Sequence, residues 1–205
     1  MISINVRTDF AGVRQRLAEM QQDIAQKALV SAVNRTIDQA KTAMAREITA
    51  EFNLKSAYVK ERLRVRRASA KQGLHRIEAT LIGGRGRADR SANVIAFVVG
   101  KPGWHETLYV RIKRKGGKKP IAGAFIANKG RTVFERMPGT RMPKRSASKG
   151  AKHAEQIKPV QTVDVAQMFN ARRINAKVVE LMREKFPEIF EREARFYLAR
   201  FNAGR

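Results

Sequence analysis

KALVSAVNRTIDQAKTAMAREITAE, residues 27–51, sets Leu29, Val33, Ile37, Ala40, Met44 and Ile48 at spacings of three and four. Those positions share one face of an α-helix. Alanines at 28, 32, 40 and 43 line the same stripe, which permits close packing against another helix or a sheet. No Pro interrupts residues 1–53, and Gly12 is the only Gly there. A first helix is therefore expected ahead of this one, capped by Asp9 and carrying Val13, Leu17, Met20 and Ile24. Ahead of that, ISINVR (2–7) alternates Ile2, Ile4 and Val6 with polar neighbours, the period of a short strand.

Towards the C-terminus the pattern changes. In LKSAYVKERLRVRRASAKQ (54–72), Ser56 can cap a short helix with Tyr58, Val59 and Leu63. Arg62, Arg64 and Arg66 follow at spacing two, with Arg67 beside them. On a strand they share one face and turn Leu63 and Val65 the other way. HRIEATLI (75–82) alternates as a strand, GGRGRADRSA (83–92) has the composition of a loop, and NVIAFVV (93–99) is expected as a central strand. LYVRIKR (108–114) alternates until GGKKP (116–120) breaks it. IAGAFIA (121–127) and TVFER (132–136) flank NKGR as a hairpin. The middle thus predicts a small, mostly antiparallel sheet of about four to six strands.

Residues 137–158 hold two Pro, two Gly, two Ser and six Lys/Arg with one acid, and predict a flexible basic arm. Pro159–Val165 reads as extended, with Thr162 or Asp164 as a cap. From Val165 to Phe201 the period is helical, and Pro187 inside it predicts a kink or two consecutive helices with Pro187 at the first helical position. The fold class is α+β. An N-terminal helix pair and a kinked C-terminal helix pack on the sheet, within a single domain over residues 1–205.

The chain has 205 residues, with 43 Lys+Arg against 18 Asp+Glu, a net charge of +25. Residues 54–153 alone hold 26 basic and 5 acidic side chains. Two nearly neutral ends therefore flank a strongly basic middle. Charge of one sign at that density opposes compaction unless it stays solvated or meets an anionic partner. The cations that could form such a surface are Arg62, Arg64, Arg66, Arg67, Arg85, Arg87, Arg90, Arg111, Lys113, Arg114, Lys115, Lys118, Lys119, Arg141, Lys144, Arg145, Lys149 and Lys152. Few aromatic residues lie among them, which argues against sequence-reading of single strands.

Enzyme chemistry finds little support. The absence of Cys excludes a disulfide scaffold and a thiolate metal site, and three scattered His make no metal cluster. No phosphate-binding, dinucleotide, zincin or nucleophile-elbow motif appears. The glycines of GGRGR (83–87) read as a flexible loop. The acids of the middle, including Glu78 and Glu135, stand apart in sequence, whereas a metal-dependent nuclease needs several to converge. The expected protein is not an enzyme and takes no cofactor or metal. No apolar run reaches the length of a membrane span, and the N-terminus has no signal-peptide pattern. Trp104, beside His105, is either an interface anchor or a core plug.

Several segments, taken in order, resemble the minor tail protein Z family of long-tailed bacteriophages, the tail completion proteins. They are ALVSAVNRTIDQAKTAMAREI (28–48), LKSAYVKERLRVRRAS (54–69), IAGAFIANKGRTVFERM (121–137), QIKPVQTVDVAQMF (156–169) and the long terminal helix interrupted by Pro187. Residues 138–155 depart from the family's pattern. The resemblance implies a non-enzymatic virion structural protein. It would complete the head-proximal end of the tail at the head–tail junction, after assembly in the host cytoplasm. Implied partners are other neck and tail proteins (tail terminator, tail tube), the genome DNA end, and further copies of the chain in a ring, six-fold by family analogy. The subunit contacts of such an assembly are expected at Leu29, Val33, Ile37, Met44, Ile48, Trp104, Phe190, Tyr197 and Phe201. A stand-alone basic nucleic-acid-binding protein is the competing reading. It predicts tight, steeply salt-dependent binding by the isolated monomer.

Overall fold

A computed structural model describes residues 2–6, 13, 15, 18, 20–72, 77–84, 92–100, 106–141 and 155–203. The fold is α+β. The chain, expected as one domain, gathers into two compact units. Unit 1 takes Met1–Thr49, Lys55–Asp89 and Val165–Arg205; unit 2 takes Ala50–Leu54 and Arg90–Asp164.

Unit 1 is organised by two long helices, α1 (Gln22–Glu51) and, near the C-terminus, α4 (Arg172–Ala203). Helix α1 buries the expected stripe: Leu29, Val33, Ile37, Met44 and Ile48 are fully enclosed, and so are Ala28, Ala32 and Ala40. Thr36 lies on the same face and satisfies its hydroxyl on the Ala32 carbonyl, 2.8 Å away. Helix α4 answers with Ile174, Val178, Met182, Phe186, Ile189, Phe190 and Ala194. Polar ties fix the register. Ser31 and Arg35 reach Glu193, while Glu47 binds Lys177 at 3.0 Å. The chain climbs sixteen residues on α1 while descending sixteen on α4, so the helices run antiparallel over roughly 24 Å.

Helix boundaries differ from the sequence expectation in two places. Helix α1 begins at Gln22, so Ile24 belongs to it; Val13, Gln15 and Ala18 ahead of it are helical. At the other end Pro187 does not divide the helix. α4 runs through it, and the break falls at Asn170–Ala171, between α4 and the short α3 (Val165–Phe169). An interior Pro forfeits one helical hydrogen bond, a cost of about 3 kcal/mol. Its neighbours Phe186, Ile189 and Phe190 are all buried, and their packing offsets that cost.

The sheet of unit 1 has the order β1 (Ile2–Val6), β3 (Ala79–Gly83), β2 (Leu63–Arg66), with both pairings antiparallel. Strand β2 follows directly on the short helix α2 (Ser56–Arg62). Gly83, at the end of β3, lies against Phe169 of α3. A Cβ there would stand 2.7 Å from the ring carbon Cγ.

Unit 2 is built from short antiparallel pairs rather than one larger sheet. Strand β4 (Ala92–Asn93) pairs with β10 (Gln161–Thr162), and β5 (Leu108–Val110) with β6 (Lys119–Ile121). The third sheet has the order β7 (Ala124–Ala127), β8 (Thr132–Met137), β9 (Gln156–Pro159). Its β7–β8 turn is the anticipated NKGR, with Asn128, Lys129 and Gly130 all at positive φ. The central strand expected over 93–99 does not form. Residues Val94–Phe97 make a 3-10 turn, because the Asn93 side chain accepts from the Ile95 amide and so caps it. That turn points Val94 and Phe97, three residues apart, into a core with Phe52, Leu54, Leu108, Val110 and Val133. The basic arm expected over 137–158 is shorter than its composition suggested, since Gln156–Pro159 is a strand paired with β8. Residues 142–154 lie outside the described residues.

Candidate anion-binding surface

In unit 1 the alternation of β2 is as expected. Leu63 is buried while Arg64 and Arg66 are exposed. The segment that follows is held to α1 by Asn34, by Asp38 and by Gln26, whose side-chain amide donates to the Ala70 carbonyl. Asn34 accepts from the Ala68 amide at 2.8 Å and donates to the Ala68 carbonyl at 3.1 Å. Arg62 does not join the face of Arg64 and Arg66, because it ends α2. Its guanidinium lies 3.5 Å over the Tyr58 ring and donates to the Tyr58 carbonyl. Arg67 is neutralised by Asp38 at 2.9 Å. Arg64 and Arg66 form no ion pair among the described residues.

In unit 2 the cations cluster on the β5–β6 hairpin. Its stem turns Leu108 and Val110 inward and leaves Tyr109 45% exposed. Its base is pinned to residues 50–54: Asn53 N–H donates to the Ile112 carbonyl at 2.8 Å, Arg114 N–H donates to the Glu51 carbonyl at 2.9 Å, and Phe52 bridges Lys113. Gly116 N–H then closes the tip onto the Lys113 carbonyl. Lys113, Arg114, Lys115, Lys118 and Lys119 are all exposed, and none forms an ion pair among the described residues. Arg111, at the stem, is only half-exposed, and its Nε is buried without a hydrogen-bond partner. Five uncompensated cations on one braced turn can hold phosphates or carboxylates. They supply no nucleophile or general base.

Arg141 is exposed at the end of its turn. Arg85, Arg87, Arg90, Lys144, Arg145, Lys149, Lys152 and Trp104 lie outside the described residues. Lys129, Arg131 and Arg136 are exposed cations that the sequence reading passed over. Lys129 and Arg131 sit in the β7–β8 turn, and Arg136 lies at the opposite end of β8.

The subunit contacts assigned to Leu29, Val33, Ile37, Met44, Ile48 and Phe190 need correction. These side chains are at most 2% exposed, consumed by the chain's own core, and have no surface left for a neighbour. An amphipathic stripe looks the same in sequence whether its partner is intramolecular or another subunit. Tyr197 and Phe201 keep part of their surface, and Phe196, 55% exposed, packs edge-on against Tyr197.

Between α1 and α4 an open groove of about 410 Å³ is lined by Asp38, Gln39, Thr42, Arg46, Leu181 and Lys185, among others. Among the described residues no group of acids or histidines could hold a metal, and no helix is long and apolar enough to cross a membrane.

The family model for prophage minor tail protein Z matches residues 12–203. The chain belongs to that family. Members are structural proteins of phage tails, not a class of enzymes, and a minor tail protein is a component of the virion. Neither a curated protein nor a solved structure matches the chain. The match takes in both long helices, the β2 cations and the β5–β6 hairpin.

Proposed function

We propose that this minor tail protein completes the head-proximal end of the tail at the head–tail junction and presents the β5–β6 hairpin to an anionic partner there. That partner is the genome end or an acidic tail protein. The observation that carries this reading is the hairpin itself, with five exposed cations, no ion pair among the described residues and a braced base. An unbraced run of lysines would serve as solvated surface, whereas pinning the turn reduces the entropy lost on docking. Copies of the chain form a ring, and the exposed aromatic end of α4, with Phe196, Tyr197 and Phe201, contributes to its subunit contact. A ring needs two different surfaces on each subunit. Six copies at +25 each would be tolerated only beside DNA or acidic neighbours.

Electron microscopy of purified virions tests the placement. Density for the chain at the head-proximal end of the tail supports it; density spread along the tube, or absence from virions, overturns it. Replacing Lys113, Arg114, Lys115, Lys118 and Lys119 by Gln should leave tails that assemble yet join heads poorly. Normal joining by that variant would remove the hairpin from the proposal.

A further inference from the structure

The two faces of the β7-β8-β9 sheet differ in chemistry. On one, Val133 lies opposite Ile126 and is fully buried. On the other, Phe125 lies opposite Phe134, Phe134 opposite Pro159, and Arg136 opposite Ile157. No residue of this second face is buried. The two rings sit 6.1 Å apart and 28° from parallel, and the Arg136 guanidinium is 5.2 Å from the Phe125 ring centre. At the turn end, Lys129 and Arg131 are exposed. Among the described residues this face carries no carboxylate, because Glu135 is on the opposite side and pairs with Lys158 at 2.9 Å.

We propose that this face binds single-stranded nucleic acid without sequence preference. Bases stack on Phe125 and Phe134, and phosphates meet Arg136 at one end and Arg131 or Lys129 at the other. The 6.1 Å ring separation across the two strands is comparable to the step of an extended nucleotide backbone. A flat aromatic pair flanked by cations and free of acids suits a polyanion that carries π-faces. A duplex hides its base faces and would meet only the cations. A second copy of this chain would bring the same cations against them. The proposal goes beyond placement at the head–tail junction and is read on the isolated protein, so either can fail without the other.

The test is fluorescence anisotropy of the full chain with labelled dT12 and with a 12-base-pair duplex, from low to moderate salt. Phe125→Leu/Phe134→Leu keeps apolar volume and removes the π-faces. It should weaken dT12 binding about tenfold or more and leave duplex binding within about twofold. Arg136→Gln should flatten the salt dependence of dT12 binding by about 0.7 log units per log unit of salt. If circular dichroism shows the double variant unfolded, the single variants carry the same reading with smaller losses. Undiminished dT12 binding by a folded leucine variant overturns the proposal. An equal loss for both probes also overturns it, as does a changed oligomeric mass with unchanged binding, which would assign the face to a second copy.

Discussion

The Ser31 hydroxyl donates to the Glu193 carboxylate at 2.8 Å across 162 residues of sequence, inside the seam of the two long helices. Glu193 is 4% exposed, and its other oxygen takes Arg35 at 3.0 Å and Arg192 at 3.5 Å. A carboxylate this deep is tolerated because it is hydrogen-bonded and paired. Arg35 stays more than half exposed, so solvent screens much of its share.

Glu193→Ala should destabilise unit 1 by about 2 kcal/mol, since it leaves the Ser31 donor and a cavity behind. Glu193→Gln retains an acceptor for Ser31 and should cost less. Urea unfolding followed by circular dichroism measures both. Equal losses would show that the negative charge paired with Arg35 and Arg192, and neither shape nor the Ser31 hydrogen bond, sets the effect.

At Gly83 the constraint is space rather than backbone conformation. The added methyl of Gly83→Ala would meet Phe169 Cβ and Cγ at 2.8 and 2.7 Å. Overpacking of this kind costs about 1–3 kcal/mol. Phe169→Ala in the same chain removes the Cγ and should recover part of the loss, so the two substitutions should be less than additive. Full additivity in thermal melts would place the strain elsewhere.

Asn93 holds unit 2 together through one side chain. It accepts from the Ile95 and Val133 amides, at 3.1 and 2.9 Å, and donates to the Val133 carbonyl at 3.1 Å. Asn93→Ala should cost about 2 kcal/mol and speed amide exchange at Ile95 and Val133. Unchanged protection at both amides would contradict that role.

The hairpin cations should be nearly silent in folding. Replacing Lys113, Arg114, Lys115, Lys118 and Lys119 by Gln should shift stability by no more than about 0.5 kcal/mol, because each is exposed and none forms an ion pair among the described residues. The same variant should bind a polyanion such as heparin with a visibly shallower salt dependence. A large fall in melting temperature would show that the turn is structural.

Phe196→Asp tests the aromatic end of α4. Phe196 is 55% exposed, so the change should leave the fold intact while reducing oligomer mass by light scattering and incorporation into tails. Unaltered incorporation would remove this patch from the subunit contact.

Local pattern was enough for the α1 stripe from Leu29 to Ile48, the helical C-terminus, the Arg64/Arg66 alternation of β2 and the NKGR turn. It also located the cationic middle and, through ordered motifs, the family. What each apolar stripe packs against rests on tertiary contacts, so Leu29, Val33, Ile37, Met44, Ile48 and Phe190, expected at subunit contacts, are core instead. Such contacts also decided that Asn93 bends an apolar run into a 3-10 turn, since that depends on Val133, forty residues away. Pairing across β7 and β8 brought Phe125 and Phe134 together with Arg136. Local period fixes which face a side chain occupies; what stands opposite that face depends on contacts distant in sequence.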